Sequence, residues 1–160
     1  MAITLTQDEI DRLISEPKKL PSDYRKRMTT RGKRGHRERE LAIEGTEESE
    51  FLVILRESMH NPLAFSVILG YRVPNTNQLF RLRRYNGKSY EHTNKLEGDT
   101  FYDFHVHQAT ERYQNSGFRE DAYAKPVVTY SDFEGAVQCL IDECGFQRPD
   151  DDNMPLFEGQ

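Results

Sequence analysis

The sequence predicts an α+β fold: an antiparallel, meander-like sheet of about five or six strands, packed by a C-terminal helix and a short N-terminal helix. Three patterns predict it. Capping signals and apolar stripes mark a helix near each end, and alternating apolar segments fill the middle. Turn signals separate those segments.

The first helix has a defined start. Thr6 and Glu9 have the spacing of a capping box, and Leu5 can pack on Ile10 across it. Ile10, Leu13 and Ile14 form one stripe, and Pro17 ends the helix. The last helix carries Phe133, Ala136, Val137, Leu140, Ile141 and Cys144 on one face. Ser131 and Glu134 are its expected capping pair. Gly145 is its expected C-terminal glycine, with Phe146 beyond it.

Between the helices, residues 41–43 end a first strand and 50–56 form a strand covered on both faces. Residues 65–73 alternate as a half-buried strand does. Asn86-Gly87 predicts a two-residue turn joining 78–85 to 88–94. In that register Arg81 faces His92 and Arg83 faces Tyr90, so all four project from one face. Residues 100–108 form a further strand. Its Tyr102, Phe104 and Val106 point to the core, and Asp103, His105 and His107 point away from it. Residues 110–124 are expected as loop or short helix.

The charge is segregated. The whole chain carries a net charge of −5, whereas residues 18–39 alone carry +8. With Gly32 and Gly35 inside it, this stretch reads as an irregular basic arm, able to meet RNA or a protein partner. The expected organisation is an N-terminal helix and basic arm (1–36), an α+β core (37–146) and an acidic flexible tail (147–160). No apolar run is long enough to span a membrane. With only Cys139 and Cys144, whose spacing matches neither a redox pair nor a zinc motif, the expected location is cytoplasmic.

The chemistry concentrates on the sheet face. His105 and His107, assisted by His92, have near-neutral intrinsic pKa values suited to acid–base work. Arg81 and Arg83 can hold phosphate, Tyr90 can stack on a base, and Asp103 completes the set. Together these are the equipment of a metal-independent ribonuclease, and no cofactor is expected. Asp103, His105 and His107 as a metal site, or a solvated face of ion-paired side chains, stay open as readings. The other class is a non-enzymatic interaction module, such as an inhibitor, an antitoxin-like protein or a defence-system partner.

The segments Arg84-Tyr85-Asn86-Gly87-Lys88-Ser89, Glu91-His92-Thr93-Asn94 and Phe104-His105-Val106-His107-Gln108-Ala109-Thr110-Glu111-Arg112-Tyr113-Gln114 resemble an uncharacterised prokaryotic domain family with no established activity. The resemblance runs over residues 37–146. It implies a stand-alone bacterial, archaeal or phage-related protein in a mobile or defence-linked setting, and it assigns no catalytic residue.

Overall fold

The computed structural model describes residues 3–149, with residue 33 described by its backbone only. The tail residues Asp150-Asp151-Asp152 therefore lie outside the described residues. In chain order the elements are α1 (Gln7–Ser15), β1 (Lys18–Lys19), α2 (Tyr24–Arg27), β2 (Thr29–Lys33), β3 (His36–Glu44), β4 (Glu50–Ser58) and β5 (Phe65–Arg72). There follow β6 (Leu79–Asn86), β7 (His92–Thr93), β8 (Thr100–Phe101), β9 (His105–Gln108), α3 (Glu111–Asn115), β10 (Tyr123–Pro126), α4 (Phe133–Glu143) and β11 (Phe146–Gln147).

The fold is α+β. Among the described residues the main sheet has seven antiparallel strands in the order β10-β9-β6-β5-β4-β3-β2. One face carries Val53, Val67, Leu69, Leu82, Tyr85 and Val106, which join α4 and α1 in a single core. The stripe of α4 is buried as its periodicity predicts. Its cap is Asp132 rather than Ser131, because the Asp132 side chain accepts from the Gly135 N–H at 2.7 Å. The capping box of α1 forms as expected.

The basic stretch is not an irregular arm. It contains β1, α2, β2 and the first half of β3, and β2 is the outer strand of the sheet. Cationic side chains are a common way to guard an unpaired strand edge, so the charge run marks an edge strand here. Lys18 is fully buried, and its Nζ donates to the carbonyls of Leu13, Ile14, Glu16 and Cys144 at 2.7–2.9 Å. It ties the C-terminal end of α1 to that of α4.

The predicted Asn86-Gly87 hairpin does not form. β6 continues past its end against residues 63–65, with the Gly87 N–H on the Phe65 carbonyl and the Lys88 N–H on the Leu63 carbonyl. The glycine is required by approach rather than by a left-handed turn: a Cβ there would sit 1.9 Å from the Leu63 oxygen. The partner of β6 on its other side is β9, reached after an excursion through the small β7–β8 hairpin. The strand expected over 100–108 is accordingly split, and β8 and β9 belong to different sheets.

Candidate functional site: a histidine cluster beside a cationic cleft

The face opposite α4 is ordered by register. Arg31, Glu38, Arg56, Ser66, Asn86 and His105 lie in one cross-strand row. The next row holds Ile54, Ile68, Arg84, His107 and Ala124. The excursion after β6 folds back over the β9 end of this face, so the two β9 histidines are covered. His105 is 0% exposed and His107 3%.

Three histidines meet there. The ring centroids of His92 and His107 are 4.9 Å apart, those of His105 and His107 5.1 Å, and those of His92 and His105 5.6 Å. Phe101 and Tyr90 pack on the His105 ring at 5.8 and 5.5 Å. Each histidine is held by one hydrogen bond that defines its tautomer. The Nδ1 of His105 donates to the Asp103 carbonyl at 2.8 Å, and the Nδ1 of His107 donates to the Asp121 carbonyl at 2.8 Å. A carbonyl only accepts, so both Nδ1 atoms carry the hydrogen.

His92 is fixed through Asn94. The Asn94 amide accepts from the Ala124 N–H at 2.9 Å and donates to the Ala124 carbonyl at 2.7 Å, which orients its oxygen. That oxygen lies 2.8 Å from Nε2 of His92, so Nε2 donates and Nδ1 of His92 is bare. The Nε2 atoms of His105 and His107 are buried and have no hydrogen-bond partner.

The electrostatics keep the His105 and His107 rings neutral. Burial lowers the pKa of His105, and its neighbours His92 and Arg84 lower it further. Burial pushes His107 down to about 2, again with Arg84 and His105 adding to the effect. Arg84 is itself paired with the buried Asp121 carboxylate, Nε to Oδ2 at 3.2 Å.

Several expected positions differ. Arg81 and Arg83 do not share a face, because the β5–β6 register shifts opposite Leu69/Gly70, pairing Arg83 with Leu69 and Arg81 with Gly70 and leaving Leu82 as the extra residue of β6. A bulge of this kind breaks the period-2 alternation. Arg83 turns to the α4 side, where it meets the Tyr85 hydroxyl at 3.3 Å and Glu143 at 3.4 Å. Asp103 is exposed, and only its backbone carbonyl meets His105. Tyr90 and His92 do reach the His105 neighbourhood, through the excursion rather than by pairing with β6.

The residues that sequence reasoning missed are Arg84, Asn94, Asp121 and Asn86. Arg84 and Asn86 reach the histidines through the pairing of β6 with β9, which sets Arg84 opposite His107 and Asn86 opposite His105. Nothing local marks Asp121. Asn86 accepts from Ser66 Oγ at 2.9 Å and donates to the Tyr90 hydroxyl at 2.8 Å.

Beside the cluster a cleft of about 200 Å³ opens on the same face, lined by His36, Arg56, Ser66, Arg84, Ser89 and Tyr90 among others. Arg56 is bonded to Glu38 at 2.9 Å but stays substantially exposed. A larger hollow of about 430 Å³ lies between α1 and the turn before β4, and Glu9, Glu16 and Glu47 are on its wall. Among the described residues no group of three or more His, Cys, Asp or Glu is placed so that it could hold a metal ion.

The model of a family of unknown function, DUF6978, matches residues 5–146. The chain belongs to this family. The family span includes α1, the basic edge and α4 as well as the histidine cluster, a wider extent than the resemblance over 37–146. No curated protein and no solved structure gives a significant match. Among the described residues no helix is long and apolar enough to cross a membrane.

Proposed function

We propose that this DUF6978 chain binds a phosphate-bearing polymer, single-stranded RNA by preference, on the sheet face opposite α4. The observation that carries the reading is the cleft beside the histidines. It combines the guanidiniums of Arg56 and Arg84 with His36, the hydroxyls of Ser66 and Ser89, and the ring of Tyr90. Guanidiniums recognise phosphate oxygens in pairs, and an exposed aromatic ring offers a sequence-tolerant platform for a base. The exposed Arg31 and Arg34 of the β2–β3 hairpin extend the positive path from the cleft along the sheet edge. The larger hollow beside α1 is the poorer choice, since its glutamates repel phosphate.

The reading is one of binding. The expected acid–base pair, His105 and His107, is covered, so a phosphodiester on this face would meet Arg56, His36 and Tyr90 first.

Fluorescence anisotropy with a labelled single-stranded RNA at low ionic strength tests it. Binding should weaken linearly in log–log form as salt rises. Arg56→Ala should weaken it about tenfold, the loss expected for one charge-assisted contact. A duplex DNA of the same length should bind less well. RNA that does not bind at low salt, or that binds Arg56→Ala and Arg56→Ala/His36→Ala as well as the parent, removes the reading.

A further inference from the structure

The histidine cluster has a property that cleft binding does not use. It brings three ring nitrogens that are not committed as donors to close quarters: Nδ1 of His92 and Nε2 of both His105 and His107. The opposite nitrogen of each ring is committed as a donor, to the Asn94 amide oxygen, the Asp103 carbonyl and the Asp121 carbonyl respectively. Outer hydrogen bonds of this type hold metal-binding histidines in one tautomer and one ring orientation. The two Nε2 atoms are buried without a partner. A buried acceptor left bare is unfavourable, and a single water has only two protons for three lone pairs. A cation can satisfy all three at once.

We propose that His92, His105 and His107 form a three-histidine site for a divalent transition metal of the zinc type. The donor set is wholly imidazole, which suits zinc, copper, nickel or iron and not magnesium or calcium. Three protein ligands leave one position open for water or a ligand. Centroid separations of 4.9–5.6 Å put the rings near enough to converge. As the rings stand, no group of three such side chains is placed to hold an ion, so closing the site takes a turn of one ring. His92 is the ring placed to make it, being half-buried on the two-residue strand β7, and the turn pivots on its Nε2–Asn94 bond, which is kept. Asp103 takes no part as a ligand, and its place in the expected trio passes to His92. The inference stands apart from the RNA reading, since it uses none of the cleft's cations.

Untagged protein, stripped with chelator and dialysed, is titrated with zinc or nickel chloride by calorimetry. In parallel, ring nitrogens are followed in a long-range proton–nitrogen correlation spectrum of the unsubstituted protein. One equivalent should bind, with magnesium chloride giving no heat. The unprotonated Nε2 signals of His105 and His107 and the Nδ1 signal of His92 should move together on binding. His92→Ala should weaken binding about 100-fold or more, at least as much as loss of an outer hydrogen bond does. His60→Ala, exposed and outside the cluster, should bind as the parent does. Absence of stoichiometric binding, equal affinity in His92→Ala, or unchanged ring-nitrogen signals in the metal-loaded parent would each overturn the site. The spectrum of the parent decides the matter even if His92→Ala is poorly folded.

Discussion

At the scale of single residues, the site depends on side chains that replace backbone. Asn94 pairs with both polar groups of Ala124 as a neighbouring strand would, and its oxygen also accepts from His92. Asn94→Ala would leave a buried N–H and a buried C=O without partners, at about 1–3 kcal/mol each. Urea unfolding should therefore show a loss of about 3 kcal/mol, and a loss under 1 kcal/mol would show that water takes over both bonds. Lys18 acts in the same way at larger scale. Its ammonium meets carbonyls at the ends of two helices, one of them at Cys144, where the helix dipole also favours a cation. Lys18→Met would leave buried carbonyls without their donor, at about 1–3 kcal/mol each where water does not replace it, so the same titration should show a loss of about 3 kcal/mol. In the sequence Lys18 reads as one more cation of a basic run. Its carbonyl partners lie as far as Cys144, so no local pattern could single it out. Asn94 was visible only as part of a conspicuous segment, without a role.

At the scale of elements, regular periodicity was legible and interruptions were not. The stripes of α1 and α4 and the strands β4, β5 and β6 follow from apolar spacing, because each buries a face against the same core. The errors arose where one residue had two physical explanations. Asn86-Gly87 fits a tight turn, but Gly87 instead lets the backbone of residues 63–65 come close. A second interruption, the register shift opposite Leu69 and Gly70, turned Arg83 to the α4 side and left Arg84 and Asn86 on the histidine face. Gly87→Ala should be strongly destabilising, by more than about 2 kcal/mol, since its Cβ would collide with rigid backbone rather than a flexible side chain. A thermal midpoint within a degree of the parent would mean that the strand can shift aside. The basic stretch misled in a related way, because an edge strand pairs on one side only and tolerates charge. Deleting residues 18–39 would remove β1, α2, β2 and much of β3 along with Lys18. It should abolish cooperative unfolding, followed by far-ultraviolet circular dichroism. The role of the edge in binding is therefore better tested by reversing exposed charges such as Arg31 and Arg34.

At the scale of the whole molecule, the buried histidines couple folding to pH. An unfolded histidine titrates near 6.5, whereas His105 is held below that value and His107 is lowered to about 2. Below pH 6.5 the unfolded chain then binds protons that the folded chain does not, so stability must fall as pH falls. The stabilising effect is complete above 6.5 and is lost progressively toward the folded value. For His107 alone the drop from pH 7 to pH 5 is about 2 kcal/mol, at 1.36 kcal/mol for each unit below the unfolded pKa. Most carboxylates stay ionised over that interval, which isolates the histidine contribution. Denaturant titrations of chelator-treated protein at pH 7, 6 and 5 measure it. His107→Asn keeps a donor where Nδ1 meets the Asp121 carbonyl and removes the titrating ring, so its stability should fall by about 2 kcal/mol less than the parent's over the same interval. Equal slopes in parent and variant would mean that His107 accepts a proton in the folded state, and that the cluster opens to water far more readily than its burial implies.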